Sequence, residues 1–280
     1  MQWHIRDQTL ELNRPLVMGI INMTPDSFSD GAQFETVDDA VRRAEQMIAD
    51  GADILDIGGE STRPSSAPVS PEEEIRRVIP VIQDISKTFD IPVSVDTTKS
   101  VVAQAAVEAG AEIINDISGL RFDEGLAAIV AKHRTGLVLM HSRGDFATLH
   151  TQEPVLEIIP DVVSGLVRSF TVAMRHGVKK EQVVLDIGLG FGKTQPQNLE
   201  LIAKLGKLKD DLDGFPFLVG ASRKSFIGKL LDGAVVQDRL LGSVAAAVIA
   251  VWNGADIVRA HDVRETVEAI KVVNAIRKQI

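Results

Sequence analysis

The chain has 280 residues, of which 45% are apolar, carries a formal net charge of −9, and contains no cysteine and no tyrosine. This apolar content can support a large core, and the lack of cysteine excludes disulfides, thiolate nucleophiles and cysteine-ligated metals. The acidic balance argues against binding nucleic acid through the bulk surface. The longest apolar run, 244–252, is far shorter than the about twenty residues of a membrane span. Because the first residues also lack a signal-peptide pattern, we expect a cytoplasmic protein without a membrane partner.

The chain then repeats one pattern after a short opening segment. Residues 2–12 alternate loosely and predict a β-hairpin. From residue 15 onward, an apolar strand ends in a polar residue and is followed by a loop and an amphipathic helix. Strands are predicted at 15–21, 53–57, 92–95, 113–114, 137–140, 183–185, 217–220 and 256–258. Helices are predicted at 37–48, from 71 onward, and at 101–109, 159–174, 238–252 and 263–278.

Local signals support this division into strands and helices. Ser70 is suited to cap a helix N-terminus, and Pro71 fits the first turn that follows. Gly51, Gly110 and Gly254 each stand in a Gly-Ala-Asp/Glu triplet just before a predicted strand, where a glycine can end a helix. The repeated triplet indicates that the same unit recurs along the chain.

Eight alternating strand–helix units predict an α/β protein of the (β/α)8 TIM-barrel type, with a short N-terminal β-hairpin. We expect residues 1–280 to form a single domain. A doubly wound open sheet is the alternative, but it would usually carry a Gly-x-Gly-x-x-Gly turn after the first strand, and residues 22–31 contain none.

Polar residues end most of the predicted strands, and in such a barrel they would meet at one mouth. They are Asn22, Asp96, Asn115, His141, Asp186, Ser222, Lys224, Arg259 and His261. The acids, the asparagine and the lysine suit a polar heterocycle, because carboxylates accept paired N–H groups. The segment 222–225 together with the arginine and final histidine predicts an anion site. A buried core histidine at 141 and a solvated lysine at 224 remain open alternatives.

The segment from Gly188 to Thr194 resembles a phosphate-binding P-loop, yet the first glycine of that motif would fall at Ile187. We therefore predict a tight, mobile rim with Phe191 exposed for stacking; a core position for this ring is the alternative. The six histidines show no metal-ligand spacing, so we do not expect a transition metal held by the protein.

Several motifs together resemble the dihydropteroate synthases, a family of pterin-binding barrels. The matching segments are 19–30, 56–64, 94–97, 114–117, 190–193, 222–225 and 259–263, which span nearly the whole chain. The resemblance implies an enzyme that joins 6-hydroxymethyl-7,8-dihydropterin diphosphate to p-aminobenzoate and releases pyrophosphate. Departures from the family pattern occur at Ala32, Ser65, Ser66 and Ile187, and in the stretch 142–145 that follows His141.

The resemblance also implies roles for individual residues. The pterin would be held by Asp96, Asn115, Asp186, Lys224 and Arg259. The diphosphate would meet Asn22, Arg259 and His261, with Mg²⁺ bridging Asn22 to its oxygens. The aminobenzoate pocket would be formed by Thr62, Arg63, Pro64, Phe191 and Ser222, under the loops at 22–33 and 58–70. Asn22, Lys224, Arg259 and His261 would be the catalytic group, and the family suggests a homodimer.

Three other functions compete with this interpretation. A methyltetrahydrofolate:corrinoid methyltransferase shares the pterin-holding acids but handles no diphosphate, so the second loop and the 222–225 segment argue against it. A catalytically silent pterin-binding paralogue would have no need of Asn22, Arg259 and His261. A nucleotide-binding module lacks support, because both the P-loop pattern and the dinucleotide turn fail.

Overall fold

The computed structural model describes residues 1–24, 36–63, 66–212 and 214–279. A two-stranded antiparallel hairpin comes first, formed by β1 (Gln2–Ile5) and β2 (Gln8–Glu11), with Gln2 opposite Glu11 and Ile5 opposite Gln8. The hairpin predicted for residues 2–12 is therefore confirmed.

Eight parallel strands form a closed barrel in which each strand pairs with its neighbours in the chain. They are β3 (Leu16–Asn22), β4 (Ile54–Gly58), β5 (Val93–Asp96), β6 (Ile113–Asp116), β7 (Gly136–Met140), β8 (Val183–Asp186), β9 (Phe217–Val219) and β10 (Ile257–Ala260). Pairing of β10 with β3 closes the ring. The predicted (β/α)8 barrel is confirmed, and the doubly wound alternative is wrong because the sheet has no open edge.

Ten α-helices accompany the strands within the described residues. They are α1 (Val37–Ala49), α2 (Pro71–Thr88), α3 (Ser100–Ala109), α4 (Gly125–His133), α5 (Ile158–Arg175), α6 (Gln195–Ala203), α7 (Leu205–Asp211), α8 (Ser225–Leu230), α9 (Leu240–Trp252) and α10 (Val263–Arg277). The helical pattern predicted to resume near Pro196 corresponds to α6. The sequence did not specify α4, α7 or α8; each is nine residues or shorter, so its hydrophobic period is weak.

The predicted helix boundaries have clear physical causes. The Ser70 hydroxyl accepts a hydrogen bond from the Glu73 N–H at the start of α2, and Pro71 is its first residue. Gly51, Gly110 and Gly254 all have positive φ, at 100°, 120° and 110°. Glycine reaches this conformation without a side-chain clash, so each stops its helix and turns the chain toward the next strand.

The interior of the barrel is divided into an apolar lower part and a polar mouth. Successive strand residues alternate between the barrel interior and the surrounding helices. The lower interior forms one buried cluster with the hairpin: Trp3, Ile5, Leu12, Leu16, Met18, Ile54, Ile113, Val138, Val184, Leu218 and Ile257. Toward the carboxyl ends of the strands the inward positions become polar, as with Asp56, Ser94, Asn115 and Asp186. The hairpin thus closes the end of the barrel opposite the polar mouth.

Trp3 is the largest side chain in this closure and is fully buried. Its indole N–H donates to the carbonyl oxygen of Gln182 at 2.8 Å, just before β8. Gly136, at the start of β7, leaves room for the hairpin, because a Cβ there would lie 2.5 Å from Ile5 and 3.0 Å from Trp3. None of the helices in the described ranges is long and apolar enough to cross a membrane.

We expect Trp3→Ala to lower the free energy of unfolding by about 3–5 kcal/mol, because it opens a cavity and leaves a buried carbonyl without its donor. Chemical denaturation of both proteins measures this difference. His4→Ala is the matched control, since His4 is the exposed neighbour on the same strand, and it should change stability by no more than about 0.5 kcal/mol. Equal midpoints for the two variants would show that the hairpin does not support the barrel.

Candidate active site at the barrel mouth

A cavity of about 510 Å³ opens at the carboxyl ends of the barrel strands. Its walls combine strand ends with the loops that follow β4, β8 and β9. The predicted site residues among its lining are Asn22, Thr62, Arg63, Asp96, Asn115, Asp186, Phe191, Ser222, Lys224, Arg259 and His261. Pro64 lies outside the described residues, as do Ser65, Ala32 and most of the loop predicted at 22–33. The structure therefore gathers every described member of the predicted set around one opening.

Arg259 joins two carboxylates across the mouth of the barrel. Its Nε donates to Asp56 Oδ2 at 2.6 Å and its Nη2 donates to Asp96 Oδ2 at 2.8 Å. Burial opposes the charge on Arg259, but Asp56 and Asp96 outweigh that effect and raise its pKa above the ordinary value. The guanidinium plane is thereby held in one orientation, because two directed bonds come from different strands.

Asp56 is a central member of the site that sequence reasoning did not assign. It is fully buried in the middle of β4 and also accepts a hydrogen bond from Asn115 Nδ2 at 3.1 Å. A usable signal was present, since a carboxylate inside an otherwise apolar strand requires a buried partner. Asp56 thus sets the positions of two predicted site residues, Arg259 and Asn115.

Burial controls the ionisation of Asp96. Removal from water raises the pKa of Asp96 to about 7, while Arg259 acts in the opposite direction and the carboxylate of Asp56 adds to the rise. Asp96 therefore changes charge within the physiological range, at a position where it faces the cavity.

Asp186 and Lys224 form the opposite wall. Burial raises the pKa of Asp186, opposed mainly by Lys224 and by the Gly188 N–H, which donates to Asp186 Oδ1 at 2.7 Å. Burial likewise lowers the pKa of Lys224 to about 8, and here Asp186 is the main opposing influence. The lysine is a buried group facing an acid, so the solvated-surface alternative for it is wrong.

An apolar wall completes this side of the cavity. Ile117, Met140 and Phe191 line the cavity and belong to one cluster that also contains Leu149. Phe191 is only 7% exposed, so the prediction of an exposed ring was wrong. Its ring centroid lies 4.8 Å from Lys224 Nζ, a cation–π contact. A flat ligand could therefore rest on apolar side chains while its edges meet Asp96, Asp186 and Lys224.

His261 faces the cavity as a neutral imidazole. Burial lowers its pKa well below the ordinary value, and the nearby positive charges, first Arg259 and then Arg223, add to the effect. Its Nδ1 lies 3.0 Å from the Ser222 hydroxyl, which also accepts the His261 backbone N–H at 3.2 Å. His261 is thus a neutral hydrogen-bonding group beside arginines that carry the positive charge.

The loop after β4 is anchored by a buried ion network. Lys99 Nζ lies 2.9 Å from Glu60 Oε2 and 2.5 Å from Glu74 Oε2. Burial raises the pKa of Glu74, and its hydrogen bond from Lys99 is the main opposing influence. Because Glu60 precedes Thr62 and Arg63, the network fixes the point from which these two residues reach the cavity.

Lys193 stabilises the loop after β8 by donating to three backbone carbonyls, those of His141, Gly188 and Phe191, at 3.2, 2.7 and 3.1 Å. Asn198 Oδ1 accepts from the Gly190 N–H at 2.7 Å. The predicted mobile rim is therefore a loop with many internal hydrogen bonds. Ile187, one of the departures from the family pattern, is fully buried.

His141 does not belong to the cavity lining. It is 4% exposed, and its Nε2 lies 3.4 Å from Asp161 Oδ2 on α5. Burial lowers its pKa to about 4. The core-histidine alternative is the correct one.

No group of three or more histidine, cysteine, aspartate or glutamate side chains that could hold a metal occurs in the described part of the chain. Asn22, at the end of β3, places a side-chain amide in the cavity lining. A single such donor suits Mg²⁺ only where a ligand's own phosphate oxygens complete the coordination.

Comparison with known proteins places this arrangement in a family. The family model described as "Pterin binding enzyme" matches residues 18–261. Dihydropteroate synthase of Synechocystis sp. is 44% identical over 263 residues, covering 94% of this chain and 90% of that protein. The Escherichia coli K12 protein of the same name is 43% identical over 275 residues, covering 98% and 96%.

Solved structures agree with these relatives. Xanthomonas albilineans dihydropteroate synthase with 4-aminobenzoic acid superposes with a TM-score of 0.91 at 42% identity, covering 99% of both chains. The Burkholderia cenocepacia enzyme complexed with 7,8-dihydropteroate gives 0.89 at 42% identity, covering 99% of this chain and 97% of that one. The Yersinia pestis enzyme in a sulfonamide complex gives 0.93 at 42% identity, covering 99% and 100%.

Proposed function

The chain belongs to the pterin-binding dihydropteroate synthases, and from this we propose how its barrel mouth makes 7,8-dihydropteroate. The reaction joins 6-hydroxymethyl-7,8-dihydropterin diphosphate to p-aminobenzoate and releases pyrophosphate, a transfer of an alkyl group other than methyl. It belongs to folate biosynthesis. The observation that carries the proposal is that Asp96, Asn115, Asp186 and Lys224 line a single cavity together with Arg63 and Arg259.

We propose that the pterin ring lies between these four side chains and Arg259. Carboxylates accept the N–H groups of the amino-substituted ring edge, and Lys224 donates to an acceptor on the same ring. Support comes from the strands, because Asp96, Asn115 and Asp186 lie on β5, β6 and β8 and are fixed independently of the loops. Asp56 would then act beneath the ring by holding Asn115 and Arg259 in place.

The diphosphate would meet Asn22, Arg259 and His261. A neutral His261 suits this role, because it can donate an N–H to a phosphate oxygen without needing to gain a proton. Mg²⁺ would be held by Asn22 and, when bound, would neutralise charge on the diphosphate. The lack of a three-ligand cluster in the described residues fits a metal that arrives with the substrate.

The aminobenzoate would occupy the outer part of the cavity, between Thr62, Arg63 and Pro64 on one loop and Phe191 and Ser222 on the others. Arg63 supplies a positive charge for the carboxylate, and Phe191 offers an apolar face for the aromatic ring. Sulfonamides are bound by the related Yersinia enzyme, and we propose that the same pocket accepts them here.

In this arrangement the bond between the pterin methylene carbon and the diphosphate oxygen breaks, and its electron pair leaves with pyrophosphate. Arg259 and His261 stabilise the negative charge that develops on the leaving oxygens. The electron-rich dihydropterin shares the positive charge on the methylene carbon. The neutral arylamine then forms the new C–N bond and loses a proton, so the step requires no strong general base and no covalent enzyme intermediate.

We also propose that the protein forms a homodimer. We propose in addition that residues 1–280 form one domain and that the protein is cytoplasmic. Apolar side chains are exposed along one side of α9 and α10, at Leu241, Ile249, Trp252, Val272 and Ile276. A patch of this kind marks an interaction surface.

We expect the wild-type protein to sediment as a dimer, and the double variant Leu241→Glu with Trp252→Glu to sediment as a monomer. A wild-type monomer at micromolar concentration would contradict the dimer.

The direct test of function is synthesis by the purified protein. Dihydropterin diphosphate, p-aminobenzoate and Mg²⁺ should yield dihydropteroate and pyrophosphate in equal amounts, and chelation of the metal should suppress both. Dihydropteroate and pyrophosphate should be measured in the same reaction to test whether their amounts are equal. Binding of the pterin without either product would identify a silent paralogue and refute the proposal.

Asp96→Asn and His261→Ala should separate binding from turnover. We expect Asp96→Asn to weaken pterin binding by roughly tenfold or more, because a charge-assisted hydrogen bond is lost. We expect His261→Ala to lower kcat with a smaller change in KM.

In the wild type, protonation of Asp96 removes a hydrogen-bond acceptor for the pterin. Pterin affinity should therefore rise with pH up to about 7, by at most about tenfold per pH unit, and then level off.

Calorimetry with a pterin lacking the diphosphate, followed across pH, measures this profile. The Asp96→Asn variant is the control for the wild type, because its pterin affinity should not change with pH over the same range. An unchanged slope in that variant would assign the titration to another group.

A further inference from the structure

His150 lies on the loop after β7, five residues beyond the stretch 142–145, and it contacts two other loops at once. Its Nε2 is 2.7 Å from the carbonyl oxygen of Thr62, on the loop after β4. Its Nδ1 is 3.2 Å from the carbonyl oxygen of Gly190, on the loop after β8. The ring also packs on Phe191, with centroids 5.4 Å apart and planes inclined by 31°.

The number of N–H groups on the His150 ring determines how many of these two carbonyl contacts can be hydrogen bonds donated by the ring. A neutral imidazole carries one N–H and can donate to only one of two carbonyls. The shorter distance assigns that proton to Nε2 and to the bond with Thr62. The contact joins positions 88 residues apart in sequence, so it is a tertiary link between loops.

The loops on the β7 and β8 side provide a rigid base for this link. Leu149, adjacent to His150, is 1% exposed and packs in the cluster with Phe191. Asp145 Oδ1 accepts from the backbone N–H and the hydroxyl of Thr148, at 2.9 and 2.7 Å. Gly190 is held by Asn198 on its N–H side. His150 is therefore presented in a defined position.

The loop after β4 has its own anchor at Glu60. Thr62 lies two residues beyond Glu60, which the Lys99 network fixes. The hydrogen bond to His150 ties the Thr62 peptide to the Phe191 side of the cavity. Its loss would free the segment that shapes the aminobenzoate pocket, while the pterin groups on β5, β6 and β8 would keep their positions.

We propose that His150 is a positioning residue for the second substrate: it fastens the Thr62 peptide to the Phe191 loop and so sets the width of the aminobenzoate pocket. This inference rests on the proposed function, which assigns that pocket to aminobenzoate. His150 touches neither reacting atom in this role, and it acts through Thr62 and Phe191.

Three substitutions separate the donor from the ring. His150→Ala removes both, and we expect KM for p-aminobenzoate to rise by roughly threefold to tenfold, the effect of losing one hydrogen bond. KM for the pterin diphosphate should stay within about twofold. His150→Gln keeps an N–H donor and should restore most of the wild-type KM. His150→Phe keeps an aromatic ring on Phe191 without a donor and should resemble the alanine variant. His4→Ala, on the opposite end of the barrel, serves as the matched control.

Hydrogen exchange supplies a measurement that needs no turnover. Amides of 60–63, Ser66, Ala67 and Val69 should exchange faster in His150→Ala and His150→Phe than in wild type and His150→Gln, whereas amides of β5 and β6 should not change. If the variants show faster exchange but the wild-type protein makes no dihydropteroate, the proposed function is refuted while the His150–Thr62 link between the loops is supported. Equal rises of both KM values, no rise, or alanine and glutamine variants that behave alike would overturn the positioning role.

Discussion

The guanidinium of Arg259 between Asp56 and Asp96 is the interaction on which the mouth of this barrel depends. Asp56 is fully buried, the side chains of Asp96 and Arg259 are only 16% and 19% exposed, and charges this far from water need partners. The bridge ties β10 to β4 and β5, and through Asp56 it also fixes Asn115 on β6. One set of ionic bonds therefore orients the side chains that we propose for ring binding and leaves the positive charge of Arg259 at the cavity.

The same bridge explains the ionisation of the site. Burial raises the pKa of Asp96 to about 7 against the pull of Arg259. Around His261 the arginine charges combine with burial to keep the imidazole neutral. Positive charge is concentrated on arginines, which do not deprotonate near neutral pH, while the acids retain the capacity to change state.

The two halves of the cavity are built differently. Groups assigned to the pterin come largely from strand ends, whose positions follow from the barrel ladder. The side that we propose for aminobenzoate is formed by loops. These depend on discrete polar anchors: Lys99 with Glu60 and Glu74, and Lys193 with three carbonyls. His150 links the two loop systems. We therefore expect substitutions in these loops to affect binding of p-aminobenzoate more than binding of the pterin.

The sequence by itself determined the barrel, the closing hairpin and the set of polar residues at the mouth, because these follow from local periods, glycine stops and the rule that strand ends share one rim. It also identified Ser70 and the three glycines correctly. Only the tertiary structure decided which side chains pair and which are covered. Asp56 meets Arg259 across 203 residues of chain, Phe191 and His141 are buried by elements distant in sequence, and His150 finds Thr62 only when the loops meet. Such contacts depend on three-dimensional packing, and no local pattern encodes them.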